Sequence, residues 1–543
     1  MGTVTLDGER RALDEARDAV TDRLDRFVRL SGVEGGADAL SQEYIESIVA
    51  DTVDQLQQEL VVFGRVDDDR PWRIGLYGID RDGDQLVVDW RAPFARGFYQ
   101  AAADDRYGLV QRVSYVGCID DLLIEDLLTG ESRGSSPLLA ELSKGKGEQM
   151  RAAVATLQSE QDELVRLSPD DRLVLRGGPG TGKTVVALHR AAWLVYNDRR
   201  ITSDRILVVG PSDRFLRYVA SVLPTLGERR IRQTTFAELL GPDTDAGGHP
   251  EWPEIVDLLM EGIVQPDDVT VRGRRIPAEL IADVAGKVGA GALPWRERRK
   301  LIVDRLATAK RLERVDVSKA VADAVPQLTT NQALRRLRDP GLLESFGASP
   351  GLIRDWMAVK ADGGVTDEVR SRIEGVPARY SHAIVDEAQD LTELQLRAMR
   401  RRAPGLTLVG DDAQRSRFGG LGLSAAAKEL GTDVAEMTTA YRQSAEIVEW
   451  LNELAAAHPE LGAVEMLGVR PTGRAVREVA DARALLEDLR DRWDTVAEIR
   501  SDADIWEHKG VEYDAVVVEA DGMTPRELYL AASRAAHELV VVR

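Results

Sequence analysis

The chain has 543 residues, of which 43% are hydrophobic, so its composition is that of a globular protein with roughly three or four domains. Its net charge of −21 repels nucleic acid phosphates, and any contact with nucleic acid is therefore expected only through local basic patches. A single cysteine, Cys118, excludes an intrachain disulfide and a cysteine-based zinc site. Without a signal-like N-terminus or a membrane-length apolar stretch, we expect a cytoplasmic monomer with no membrane partner.

Two amphipathic helices are predicted at the start of the chain. Apolar residues recur at helical spacing over 6–30 and again over 41–62, with a glycine-bearing segment between them. The pattern predicts an antiparallel helical hairpin over 1–62. Its charged faces fit both a pair packed on the body of the protein and a protruding arm.

A change of character over 63–146 predicts a small β-rich module. The segment WRIGLYGI, the turn DRDGD and QLVVDW are typical of a hairpin, and a further strand is predicted over 110–119. The aromatic residues of this module are interpreted as core and not as a platform for bases: Trp72, Trp90, Phe94, Phe98 and Tyr99.

From Leu157 onward, strands and helices alternate as in a parallel α/β sheet. Strands are predicted at 173–175, 206–209, 382–385 and 406–409. The fold class predicted is α/β, with two RecA-like P-loop domains. The first RecA-like domain comprises 147–235 and 376–437; a mainly helical insertion with a hairpin at 269–277 occupies 236–375, and a compact second RecA-like domain occupies 438–543.

The most informative motif is GGPGTGKT, which lies between an apolar strand and a stretch of helical periodicity. This context is the one that a phosphate loop requires, because its glycines direct backbone N–H groups at phosphates and the next helix adds its dipole. Lys183 is suited to the β- and γ-phosphates and Thr184 to a magnesium ion. The predicted nucleotide-binding residues of the loop are Gly177, Gly178, Pro179, Gly180, Thr181, Gly182, Lys183 and Thr184.

An acidic pair follows the strand HAIV at the edge where open α/β sheets bind ligands. Of Asp386 and Glu387, one carboxylate is suited to holding magnesium and the other to orienting or deprotonating a water.

Polar residues further along complete the predicted site. Gln414 lies just after the next strand, where an amide is suited to sensing a γ-phosphate. Arg442 and Arg534 come from the second domain, and their guanidinium groups would neutralise charge on the γ-phosphate during its transfer.

This ordered set resembles the superfamily 1 helicase motors of the UvrD/Rep type over about 157–237 and 380–543. The resemblance implies ATP and Mg²⁺ as ligands, with Asp386 on magnesium and Glu387 activating water. It also implies that Gln414 couples the phosphate state to domain motion and that Arg442 and Arg534 act as arginine fingers. The residues implied around the nucleoside are Gln161 at the adenine edge, Tyr441 stacked on the adenine and Glu512 near the ribose.

Three departures separate this chain from unwinding helicases of that type. The segment 207–228 lacks their threonine/asparagine strand-gripping motif, and only Phe418 lies near the place of their base-stacking tryptophan. The roughly 65 residues between Arg442 and Lys509 are too few for the large helical domain that those relatives insert there.

The segments 72–101, 177–196 and 208–228 instead resemble the HelD-type ATPases. That resemblance implies binding to the core of bacterial RNA polymerase and the release of stalled or inhibited complexes, with the N-terminal hairpin and the insertion entering polymerase channels. The acidic balance favours this interpretation, since channels that bind DNA have basic walls. The alternatives are a DNA helicase or translocase and a non-catalytic nucleotide-binding protein.

The insertion contains a run of basic residues with acidic residues between them. This run would either contact nucleic acid or form a solvated helix face with salt bridges. Its members are Arg296, Arg298, Arg299, Lys300, Arg305, Lys310, Arg311 and Arg314.

Overall fold

The computed structural model describes residues 4–33, 62–117, 119–138, 156–169, 171–289, 293–376, 379–501, 505 and 508–543. Within these ranges the chain is a mixed α/β protein with two parallel sheets and a β-rich module, which confirms the predicted fold class. The second helix of the predicted N-terminal hairpin lies outside the described residues, as does Cys118. The predicted domain limits stay predictions.

The N-terminal module contains a seven-stranded sheet, and in the described part of the chain the helix Leu6–Val33 precedes it. The strands lie in the order Ile79–Arg81, Asp84–Asp89, Pro71–Gly75, Val62–Asp67, Gln111–Val116, Asp121–Asp126 and Ser132–Gly134, and a short helix spans Arg96–Gln100.

The predicted hairpin of this module is wrong in one respect. WRIGLYGI is not a single strand, because residues 76–78 break it into two pieces. Only the second piece, Ile79–Arg81, forms an antiparallel hairpin with Asp84–Asp89. The first piece, Pro71–Gly75, pairs in parallel with Asp84–Asp89. Asp82 and Gly83 have positive φ values and form the tight turn of the hairpin.

The module's aromatic residues divide between core and surface. Trp90, Phe98 and Tyr99 are buried, as predicted, and Trp72 is half-buried. Phe94 is 41% exposed, so its assignment to the core is wrong. Its ring packs against Trp72 with centroids 5.3 Å apart at the surface of the module.

The first α/β unit is built on a six-stranded parallel sheet. The strand order is Arg232–Thr235, Ile206–Gly210, His382–Val385, Gly405–Gly410, Leu173–Gly177 and Val434–Met437. The four inner strands carry apolar runs because helices cover both faces. Those helices are Ser159–Val165, Lys183–Asn197, Asp213–Val219, Val222–Thr225, Phe236–Leu240, Glu393–Arg402 and Leu423–Leu430.

A helical insertion interrupts this sheet between Arg232–Thr235 and His382–Val385. It has its own apolar core, in which Trp252, Trp295 and Trp356 are fully buried. It also contains the predicted hairpin, formed by Val269–Val271 and Arg274–Ile276. Its helices are Trp252–Glu261, Ala278–Val288, Trp295–Lys310, Arg314–Ala320, Thr330–Arg336, Pro340–Ser345, Pro350–Ala358 and Gly363–Ile373.

The second α/β unit contains a four-stranded parallel sheet in the order Arg477–Val479, Ala535–Val542, Tyr513–Glu519 and Val496–Ile499. Two short strands, Thr439–Ala440 and Leu467–Gly468, pair beside it. Its helices are Ala445–Ala457, Arg483–Arg492 and Pro525–Ala532. Across all the described ranges of the chain, no helix combines the length and the apolar character needed to cross a membrane.

The β-rich module and the first α/β unit share one hydrophobic core, to which Phe63, Trp90, Val186 and Leu188 belong. A buried ionic contact reinforces the junction, since Arg91 pairs with Asp89 at 2.9 Å and with Glu228 at 3.2 Å. The two parts are therefore packed as one body and are not joined only by a linker.

Buried charges also fix the N-terminal helix to the module. The Glu9 carboxylate is 2% exposed, accepts hydrogen bonds from Arg65 Nη1 at 2.6 Å and from the Tyr115 hydroxyl at 2.5 Å, and lies 3.3 Å from Arg73 Nε. Below this contact, Leu13, Ala16 and Val20 pack against the sheet.

We predict that Glu9→Ala destabilises the protein by about 1–3 kcal/mol, because the buried Tyr115 hydroxyl loses its acceptor and Arg65 keeps only Asp67 as a partner. The matched control is Asp22→Ala on the same helix, which removes an exposed ion pair with Arg81 and costs about 0.2–1 kcal/mol. Chemical unfolding monitored by circular dichroism measures both. Equal losses for the two variants would show that the Glu9 contact does not hold the helix.

Candidate nucleotide-binding site

One cavity lies between the two α/β units, at the edge where the strands of the first sheet end. Most of the residues predicted for the site line it, although they come from segments far apart in the chain. They are Gln161, Pro179, Gly180, Gly182, Lys183, Thr184, Asp386, Glu387, Gln414, Tyr441, Arg442, Glu512 and Arg534. The other predicted members, Gly177, Gly178 and Thr181, belong to the loop behind its wall.

The phosphate loop runs from the end of Leu173–Gly177 to the start of Lys183–Asn197. Gly180 and Gly182 have φ values of 73° and 88°, a left-handed conformation that glycine adopts without strain. The Lys183 ammonium donates to the carbonyl of Gly178 at 2.7 Å, and the Thr181 hydroxyl donates to the same carbonyl at 2.8 Å. These bonds hold the lysine across the loop, where phosphates bind in such folds.

Two oxygen ligands for a divalent cation meet at the base of the cavity. The Thr184 hydroxyl donates to Asp386 Oδ2 at 2.6 Å, and Asp386 Oδ1 accepts from the Glu387 backbone N–H at 2.8 Å. Burial, together with the adjacent Glu387 carboxylate, raises the pKa of Asp386 to about 6. A hydroxyl and a carboxylate are hard ligands that fit Mg²⁺.

The protein supplies only part of the coordination shell of such a cation. Within the residues that the structure describes, no cluster of three or more His, Cys, Asp or Glu side chains is arranged to hold a metal. The remaining ligands would come from phosphate oxygens and water, as is usual for Mg²⁺ at nucleotide sites.

Glu387 occupies a special backbone position directly after the strand His382–Val385. Its φ of 54° is left-handed, which is uncommon for a residue other than glycine and is often associated with functional sites. Its carboxylate accepts from Gln389 Nε2 at 2.6 Å and lies 3.8 Å from the Lys509 ammonium. The side chain is therefore oriented by neighbours and keeps acceptor capacity for a water molecule.

Gln414 connects the two α/β units. Its Nε2 donates to Asp411 Oδ2 at 2.9 Å, while its Oε1 accepts a hydrogen bond from Arg534 of the second unit. Burial raises the pKa of the Asp411 carboxyl. Arg534 is 4% exposed, so its guanidinium is kept inside the cleft between the units.

The other predicted residues of the second unit lie on the opposite wall. Arg442 Nη1 donates to Glu512 Oε2 at 2.5 Å. The Tyr441 hydroxyl donates to Glu160 Oε1 at 2.6 Å, and burial together with that carboxylate raises the pKa of Tyr441. The backbone N–H of Tyr441 also donates to the carbonyl of Gly180 at 3.0 Å, so this wall contacts the phosphate loop directly.

Gln161 lines the cavity with its amide already engaged. Its Nε2 donates to the carbonyl of Thr181 at 3.0 Å, and its Oε1 accepts from the backbone N–H of Gln158 at 3.1 Å. The second bond belongs to a capping box at the start of the helix Ser159–Val165. Its predicted contact with an adenine edge stays a prediction.

Lys509 lies in the same segment as Glu512, and the sequence analysis predicts no role for it in the site. Its ammonium donates to Asp390, to Ser416 Oγ at 2.9 Å and to the Gln414 carbonyl at 3.3 Å. Burial alone would raise the pKa of Asp390, but the Lys509 ammonium lowers it below its usual value. The HKG sequence ahead of Glu512 was the available signal.

Other cavity residues had no signal in the sequence. Leu138, Thr156, Phe215 and Gly510 line the cavity from four separate segments. Only the tertiary fold brings these residues together.

The phosphate loop, the Thr184–Asp386 pair and the arginines brought by a second α/β unit define a P-loop NTPase motor with two RecA-like domains. Two family models match the chain. The N-terminal domain of DNA helicase IV HelD matches residues 4–117, and an AAA domain matches residues 161–419. These two matches support a protein of the HelD type with a UvrD/Rep-like superfamily 1 motor.

Solved structures that are similar to the chain include viral helicases, at low similarity. An arterivirus nonstructural protein 10 helicase has a TM-score of 0.29 and 12% identity, with 71% of this chain and 62% of that chain covered. The PRRSV helicase has a TM-score of 0.30 and 12% identity over 80% of this chain. The match thus spans 62% of the length of each of these two helicases. No curated protein matches the chain.

Gly178 provides a test of how closely the two units meet. A methyl group on Gly178 would lie 2.1 Å from the sulfur of Met466, which belongs to the core of the second unit. We predict that Gly178→Ala weakens nucleotide binding about tenfold, since it holds the second unit away from the phosphate loop, and that adding Met466→Ala recovers most of the loss. Calorimetric titration with a non-hydrolysable ATP analogue measures both. If the double variant binds no better than Gly178→Ala, the clash is not the cause.

Proposed function

We propose that this protein hydrolyses ATP, with Mg²⁺ as cofactor, and uses the cycle to bind and release bacterial RNA polymerase. The observation that supports hydrolysis is the convergence of both RecA-like domains on one cavity. The first domain contributes Lys183, Thr184 and the acidic pair after the strand His382–Val385, and the second contributes Arg442 and Arg534.

Each step of hydrolysis has a suitable group in this cavity. The phosphate loop and Lys183 would hold the β- and γ-phosphates, while Thr184 and Asp386 would hold the magnesium ion, which when bound would neutralise phosphate charge. Glu387 would orient the attacking water and accept its proton. Arg442 and Arg534 would stabilise the charge that spreads over the γ-phosphate oxygens, and Gln414 would report the loss of that phosphate to the second domain.

The nucleoside would occupy the outer part of the cavity. Tyr441 would stack on the adenine, and Glu512 would approach the ribose once Arg442 moves to the phosphates. This last step requires Arg442 to exchange its bond with Glu512 for one with phosphate oxygens. A charge-assisted bond to phosphate is of similar strength, so the exchange costs little.

The match to the HelD N-terminal domain supports RNA polymerase as the partner, because the resemblance to HelD-type ATPases implies binding to it. The charge of the chain agrees, since a net −21 favours a basic partner surface over bare nucleic acid. The insertion and the helix Leu6–Val33 would be the parts that enter the polymerase.

The basic run of the insertion gives little support to a nucleic acid site. Arg298 and Arg299 are 7% and 8% exposed, and they donate to backbone carbonyls inside the insertion, at Ala285 and Val325 respectively. Arg314 pairs with Asp304 at 2.7 Å. These arginines stabilise the insertion, which leaves the exposed members of the run as the local patch available to nucleic acid.

We predict that Glu387→Gln lowers kcat for ATP about 10²–10⁴-fold while nucleotide binding persists, because only the proton acceptor is removed. Glu429→Gln, at an exposed glutamate of the same domain, serves as the control. Phosphate release is measured with the free protein and with added polymerase core or single-stranded DNA, and co-elution with each is scored. Stimulation and co-elution with polymerase support the proposal.

Two results would contradict it. Stimulation by DNA alone, with strand displacement from a tailed duplex and no co-elution with polymerase, would assign the protein to the DNA helicases. Unchanged phosphate release in both Glu387→Gln and Lys183→Ala would leave a protein whose nucleotide site has no catalytic role.

A further inference from the structure

Gln443 is a buried amide that the proposed mechanism does not use. It follows Arg442 directly, is 1% exposed, and lies two residues before the helix Ala445–Ala457. Its Nε2 donates to the carbonyl of Ser533 at 2.9 Å and to the carbonyl of Ala535 at 3.1 Å. These two carbonyls flank Arg534, so one side chain joins the backbone segments that carry both predicted arginine fingers.

Further bonds run alongside this link. The backbone N–H of Ser444 donates to the carbonyl of Ala536 at 3.0 Å. Arg470 donates to the carbonyls of Arg442 and Ala536 at the same place. The peptide groups of the two segments are thus tied together, while the guanidinium of Arg534 stays in the cleft on Gln414.

The same amide contacts the phosphate loop. A methyl group built on Gly180 would lie 3.2 Å from Gln443 Cγ and 3.4 Å from its Oε1. The carbonyl of Gly180 accepts hydrogen bonds from the backbone N–H groups of Tyr441 and Arg442. Gln443 Oε1 itself is buried and has no hydrogen-bond partner among the described residues. Gln443 therefore fills the space between the loop and the two arginine segments.

We propose that Gln443 is a positioning residue that holds Arg442 and Arg534 as one rigid unit in register with the phosphate loop. The inference rests on the proposed hydrolysis of ATP. Without its two N–H groups, two buried carbonyls lose their donor and the segments are free to shift. A misplacement of about 1 Å is enough to lower a rate about 10²-fold when the displaced groups act in the transition state.

The test compares Gln443→Met, which keeps length and removes both donors, with the wild type. We expect kcat to fall at least about tenfold with KM for ATP changed less than about threefold, because arginine fingers act mainly in the transition state. In the Arg442→Ala/Arg534→Ala background the same substitution is expected to have no further effect on kcat. Gln233→Met, at a half-buried glutamine on the edge strand of the first sheet, is the control.

A merely structural role gives different results. It would lower the melting temperature and leave kcat of the folded protein unchanged, or it would lower kcat equally in the wild-type and doubly substituted backgrounds. Either result in an active wild type overturns the inference and leaves the proposed function standing.

A second measurement does not depend on turnover. Hydrogen exchange followed by mass spectrometry is expected to show faster exchange over residues 528–537 in Gln443→Met than in the wild type, with little change over the insertion. Unchanged exchange in that segment overturns the link, whether or not the protein hydrolyses ATP. Absence of turnover in the wild type would instead refute the proposed function.

Discussion

Charged contacts between the two RecA-like domains are the constraint on which the arrangement of the site depends. Lys509 of the second domain is bound by Asp390 of the first, and Arg534 of the second is bound by Gln414 of the first. Both cations are nearly buried, and a buried cation without a partner is costly. The domains can therefore separate only if water or phosphate oxygens replace these partners. The negative charge of a bound triphosphate would thus compete with Asp390 and Gln414 for the two cations.

The loop that follows Gln414 connects these contacts between the domains with the insertion. Ser416 binds Asp390 at 2.6 Å, and Arg417 pairs with Asp243 at the root of the insertion. The backbones of the loop and the root also approach so closely that a methyl group on Gly419 would lie 1.8 Å from the carbonyl of Gly248. A short, tightly packed loop therefore connects Gln414 with the first residues of the insertion, and a shift of Gln414 would displace them.

Most of the motor fold was predictable because its signals are local. Buried parallel strands are short apolar runs, so His382–Val385 was predicted at its observed bounds and Leu173–Gly177 was predicted short only by its polar end. The phosphate loop and acidic pair were predictable because phosphate and metal chemistry admits few residue types at fixed spacing. Pairing within the β-rich module was not, because Pro71–Gly75 forms its hairpin with the preceding strand Val62–Asp67 and pairs in parallel with Asp84–Asp89, which the alternation of residues does not indicate.

The roles of the residues that sequence reasoning left out share a physical cause, since the partners of these residues lie far away in the sequence. Nothing near Gln443 in the sequence marks it, because the carbonyls that it binds come from residues 90 and 92 positions further along. Lys509 likewise gains its role from Asp390, which is 119 positions away. A motif identifies groups that touch the substrate, because the substrate imposes their chemistry. The identity of the groups that hold those residues in place is determined by the fold and not by the substrate, so these groups are identified only once the fold is known.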